Sequence, residues 1–244
     1  MGLNAQTTVP AFTAGQVLTA AQQNNINTGI PVFADTTARD AAFGGLGEKV
    51  LAEGQYAFLE DTNATQFYDG AAWQTVGGGL TYITQATPSA VNSVSINNCF
   101  SSTYDSYFVT MTTSAYVGGD TTITMRLRAS GTDANTNYDT QRTAAYSTTI
   151  ITDSNPNGTD EWYLGFNNST NPTSYVVSFQ VFNPFLAASS RYLGNSFIKE
   201  AAGPPNVLSF GGYHSTASSY DGFTILASGT SFTGTIRVYG YQNS

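Results

Sequence analysis

The chain is short of charge before anything else. Lys, Arg, Asp and Glu make up 10% of its 244 residues, well under the roughly one quarter usual for globular chains. The wetted surface must therefore come from Ser, Thr, Asn, Gln and Gly. Eight residues are basic and the net charge is −8. Nucleic acid wants clustered Lys and Arg to neutralise phosphates, so this balance argues against it. It argues equally against an anionic membrane surface. The single cysteine, Cys99, excludes an intramolecular disulfide framework and is expected to be a small buried hydrophobe. The single histidine, His214, sits in GGYHSTASSY with no nearby carboxylate before Asp221, and is expected in an exposed loop. One His and one Cys argue against a zinc site.

Other absences narrow the class further. No run approaches the 18 or so consecutive apolar residues that span a bilayer, so no membrane insertion is expected. The opening MGLNAQTTVPAF has neither the basic nor the apolar region of an export signal. Nucleophile elbow, phosphate loop and dinucleotide fingerprint are all missing. No catalytic residue is predicted, and the chain is expected not to be an enzyme. No fixed repeat is visible, which argues against propellers and solenoids.

What the chain has is alternation. Between 105 and 129, Tyr107, Val109, Met111 and Ala115 share one face, with Thr110, Thr112 and Ser114 on the other. Ile123, Met125, Leu127 and Ala129 then alternate with Thr122, Thr124, Arg126 and Arg128. A period of two marks strands with one wet and one buried face. Gly118-Gly119-Asp120 supplies turn residues, so the stretch is expected to form a β-hairpin. Further strands are predicted at 81–85, 93–97, 142–150, 161–166, 174–183, 191–198, 206–213, 222–228 and 232–241. Many antiparallel strands without a convincing helix predict a mainly β chain, a jelly-roll-like β-sandwich over residues 80–244.

Residues 1–76 read differently. Thr19 and Gln22 have capping-box form and open a short helix near Ala20–Asn27, while Asp35 or Thr36 caps a second through Ala38–Phe43. Tyr56–Leu59, Gln66–Tyr68 and Trp73–Val76 predict a small β-meander. The stretch holds seven acids against two bases and is too thin to bury much alone. It is expected to attach or oligomerise the chain, with Gly77-Gly78-Gly79 as the boundary.

Two kinds of site residue stand out. Asp153, Asn155, Asn157 and Asp160 have the D-x-N-x-N-G opening of a calcium loop, although position twelve is Leu164 rather than a bidentate Glu. Calcium is therefore the one cofactor weighed, against plain Asx-turns. Tyr138, Tyr146, Trp162, Tyr163 and Tyr220 fall in predicted loops or strand ends, where flat rings stack on sugars and anchor interfaces.

Two sets of motifs carry a resemblance. TAGQVLTAAQQNNIN followed by ARDAAF and QYAFLEDTNATQFYDGAAW resembles a segment of tailed-bacteriophage virion proteins, where an ARDAA turn precedes a meander ending in YDG-x-AW. CFSSTYDSYFVTM, TMRLRASGTD and GTIRVYGY are similar to sandwich domains of the same kind of protein. The resemblance covers about half of the chain. It implies a structural or host-contacting virion component, usually trimeric, without a catalytic site. A tail fibre or tail-tip protein binding a host cell-surface glycan through loops leads. A head fibre or capsid decoration protein is the alternative, and a carbohydrate-binding module the reading from another class. Its expected partners are sister chains and other virion proteins, in a particle assembled in host cytoplasm.

Overall fold

A computed structural model of the chain describes residues 7–9, 11–20, 22–23, 29–46, 48–77, 79–118, 121–146, 149–167, 175–199 and 205–242, with backbone alone at 121, 146, 155–159 and 167. The fold is mainly β, and the chain divides into two compact units, Met1–Gly78 and Gly79–Ser244.

In the first unit β1 (Val32–Phe33), β2 (Tyr56–Leu59), β3 (Ala64–Tyr68) and β4 (Trp73–Thr75) form one sheet in that order, with β1 parallel to β2. Helix α1 (Thr36–Ala41) starts at Asp35, whose carboxylate accepts from the Ala38 amide at 2.8 Å. The predicted capping box is also made: Gln22 N donates to Thr19 Oγ1 at 3.2 Å and Thr19 N to Gln22 Oε1 at 2.9 Å. Most of the helix expected after it lies outside the described residues. The buried core here is Val9, Phe33, Ala42, Ala57 and Leu59. Arg39 is buried too, its guanidinium 4.7 Å from the Trp73 ring and paired with Asp40 at 2.6 Å.

The second unit is a two-sheet sandwich. Its large sheet runs β11 (Thr149–Thr159), β10 (Tyr138–Tyr146), β15 (Pro205–Ser218), β14 (Ala188–Lys199), β13 (Tyr175–Phe182), β7 (Ser106–Val117), β17 (Ser231–Tyr241), β5 (Leu80–Ala86). The small sheet runs β12 (Trp162–Asn167), β8 (Thr121–Ala129), β16 (Gly222–Ala227), β6 (Ser93–Ile96), with β9 (Thr132–Asp133) beside β8. Inward side chains interlock between the sheets: Phe179 of β13 meets Phe223 of β16 at 6.4 Å, and Trp162 of β12 stacks on Tyr192 of β14 at 4.5 Å. Without the hairpins β10–β11 and β14–β15, the remaining eight strands lie 5-17-7-13 and 6-16-8-12. That is the interleaved double Greek key of the jelly-roll expectation, enlarged by two insertions on one sheet.

Two strand expectations are corrected. β7 and β8 are not arms of a hairpin. They lie in opposite sheets, β7 paired with β13 and β17, β8 with β12 and β16. Alternation reports which face of a strand is buried and not which neighbour it pairs with. The buried faces Tyr107-Val109-Met111 and Ile123-Met125-Leu127 both point into one core. The predicted strand 142–150 is instead the end of β10 and the start of β11, which pair antiparallel from Tyr146↔Thr149 outward.

Candidate functional site

A groove forms where the large sheet outruns the small one. Hairpin β10–β11 extends beyond β12, the edge strand of the small sheet, so part of its inner face has no apolar layer to cover. Polar residues stand there. Arg142 of β10 lies opposite Asp153 of β11 and binds it at 2.6 Å. The Arg142 guanidinium also sits 4.0 Å from the ring of Tyr163 on β12, a cation–π contact. With Thr140, Thr122, Thr124, Asp160 and Glu161, these residues line a cavity of about 260 Å³.

The other wall follows from the alternation of β8, which faces Thr122, Thr124 and Arg126 outward. Arg126 binds Asp160 at 2.8 Å and Glu161 at 3.3 Å, and its Nε donates to the Asp160 carbonyl at 3.0 Å. Burial raises the Glu161 carboxyl above the usual carboxylate range, and the Arg126 charge opposes that rise only in part. A second cavity of about 390 Å³ shares Thr124, Asp160 and Glu161 and continues over Ser93, Leu226 and Ser228. The groove is thus elongated across the outer face of the small sheet.

Three of the nine predicted site residues, Tyr163, Asp153 and Asp160, meet in this groove. The others do not. Tyr138 and Trp162 are fully buried, because strand β10 begins at Tyr138 and both rings face the core. Tyr138 Oη accepts from the Leu127 amide at 2.8 Å and donates to the Ala134 carbonyl at 3.1 Å. Tyr220 is also buried, 5.3 Å from the His214 ring. These three are core residues rather than exposed stacking platforms. The Tyr146, Asn155 and Asn157 side chains lie outside the described residues.

The calcium expectation is corrected as well. Residues 153–159 belong to β11 rather than to a loop, with a register shift against β10 between Asn155 and Thr159, and Asp153 and Asp160 each bind an arginine. Alternate residues of a strand share one face but stand about 6–7 Å apart, which spreads them along it instead of closing them round one ion. His214 is not in a loop: it lies in β15, 1% exposed, with Tyr138 at 4.3 Å. Burial depresses its pKa, while the Thr216 and Thr136 carbonyls pull the other way; no hydrogen bond of acceptable geometry reaches Nε2.

Comparison with family models, curated proteins and solved structures gives no match.

Groove residues that the sequence did not single out are Arg142, Arg126, Glu161, Thr124 and Thr140. The first signal was available for β8, whose Thr and Arg share a polar face. The placement of β10–β11 over β12 was not, since it depends on pairing between strands distant in sequence.

Proposed function

We propose that this chain is a structural protein of a tailed-bacteriophage particle, a tail fibre or tail-tip component. Its sandwich binds a saccharide of the host surface. The observation that carries this reading is the groove: hydroxyls, carboxylates and guanidiniums held in place by ion pairs beside an aromatic ring, facing outward on a rigid two-sheet scaffold. Fixed polar groups next to a ring are the means by which proteins orient polyhydroxyl ligands. The resemblance of the first unit to virion segments and the scarcity of surface charge agree with it. Sister chains, as a trimer, are its proposed partners, and avidity across copies supplies the affinity that one shallow groove lacks. Labelling the protein on intact particles tests the assignment: signal at the tail supports it, signal over the shell favours the decoration alternative, and unlabelled particles overturn it.

A second reading has one observation in its favour. Glu161, with its raised pKa, from the bend before β12, and Asp153 of β11 line one cavity, the pattern of an acid and its partner carboxylate in glycoside hydrolysis. Release of reducing ends from a bound tetrasaccharide by the wild type but not by Glu161→Gln supports hydrolysis. Intact saccharide after prolonged incubation removes it.

A further inference from the structure

We propose that the groove takes a chain of uncharged sugar units and rejects acidic saccharides. The inference rests on the reading above that the groove binds saccharide. It follows from a count of committed charges. The cations among the described groove-lining residues are Arg142 and Arg126. Arg142 is held by Asp153 at 2.6 Å and lies on the Tyr163 ring. Arg126 is held by Asp160 at 2.8 Å and Glu161 at 3.3 Å. A carboxylate or sulfate on the ligand has to approach arginines already paired with carboxylates and face Asp153, Asp160 and Glu161 as it does so. Like charges brought together in a partly desolvated site are repelled, and this repulsion gives selectivity.

A neutral sugar meets the opposite situation. Carboxylate oxygens are acceptors, and those left exposed beside the arginines receive sugar hydroxyls in charge-assisted hydrogen bonds. Thr122, which is exposed, lines the same cavity, and a hydroxyl both donates and accepts; Thr124 and Thr140 lie buried behind it, Thr140 bonded to Tyr192 Oη at 3.1 Å. The cavity volumes bear on length. About 260 Å³ falls below the roughly 300–1,000 Å³ of drug-sized pockets, enough for a single small ring. The adjoining 390 Å³, which shares Thr124, Asp160 and Glu161, extends the track to further units.

Calorimetric titration of the full chain tests this with four probes: the tetramers of β-linked glucose, N-acetylglucosamine, glucosamine and galacturonic acid. At least one of the two neutral tetramers is expected to bind. The galacturonic acid tetramer is expected to bind at least about tenfold more weakly, one charged hydrogen bond's worth, and to recover part of that loss in 1 M salt. Glu161→Gln should weaken the neutral tetramer and narrow the gap to the acidic one. Asp153→Asn should do the same, and near-ultraviolet circular dichroism reports that both variants are folded. Equal or tighter binding of the acidic tetramer, or tightest binding of the cationic one, overturns the charge selection and leaves saccharide binding standing. Silence with all four probes overturns both.

Discussion

His214 illustrates how a residue's chemistry is decided by its surroundings. Its ring is enclosed by Tyr138 at 4.3 Å, Tyr220 at 5.3 Å and Trp162 at 6.3 Å, and among the described groups no carboxylate or cation contacts it. The folded state therefore holds it neutral, with a pKa below the ordinary 6.5. As the pH falls through 6.5 and then through the folded value, the unfolded chain takes up a proton first and stability is lost. The melting temperature should drop over that window, and His214→Phe should flatten the drop; an identical slope in the variant refutes the assignment. Trp162 is subject to the same logic. Stacked on Tyr192 in the core, it should cost about 3–5 kcal/mol when cut to alanine, read as a fall in the denaturation midpoint. A folded, fully stable Trp162→Ala protein would contradict its burial. In the sequence these aromatics fall in predicted loops or strand ends, with turn-type neighbours around them. Nothing local records that Tyr138 opens a strand.

At the scale of elements, period-two alternation identified nearly every strand, and it did so for a physical reason: each strand buries one face. The β8 face Thr122-Thr124-Arg126 was legible in this way. Alternation was silent on partners, so β7 and β8 looked like a hairpin, and the end of β10 and the start of β11 looked like one strand. The groove depends on those partners, and its composition therefore emerged only with the sheets. The ion pairs on β11 and just after it give a further expectation. Adding a chelator should leave the melting temperature unmoved, because Asp153 and Asp160 already bind Arg142 and Arg126. A fall of several degrees on chelation would return calcium to this strand.

For the whole molecule, the outer face of the large sheet bears on assembly. Register lines up Ile150, Ala145, Val207, Phe197 and Val176 across five neighbouring strands. All are exposed, Ile150 at 73%. Contiguous apolar rows on soluble chains mark contact surfaces, and the occupant proposed here is a second copy of this chain. Light scattering should give three times the 25.8 kDa chain mass. Phe197→Ser with Val207→Ser should shift the mass toward one chain, with little change in unfolding of the dissociated protein. A 25.8 kDa particle for the wild type at micromolar concentration removes the trimer.

The position of β17 carries a kinetic implication. This strand, the last of the second unit in chain order, is seated between β5 and β7, so the earliest and latest segments of the second unit must find one another before the large sheet is continuous. Until then a slot eleven residues long stands open, lined by backbone donors and acceptors. Such distant pairing is slow, and in the interval the same strand from a sister molecule fits the vacancy equally well. Crowded synthesis therefore invites exchanged-strand assemblies, and slower translation near residue 230 lengthens the interval in which they form.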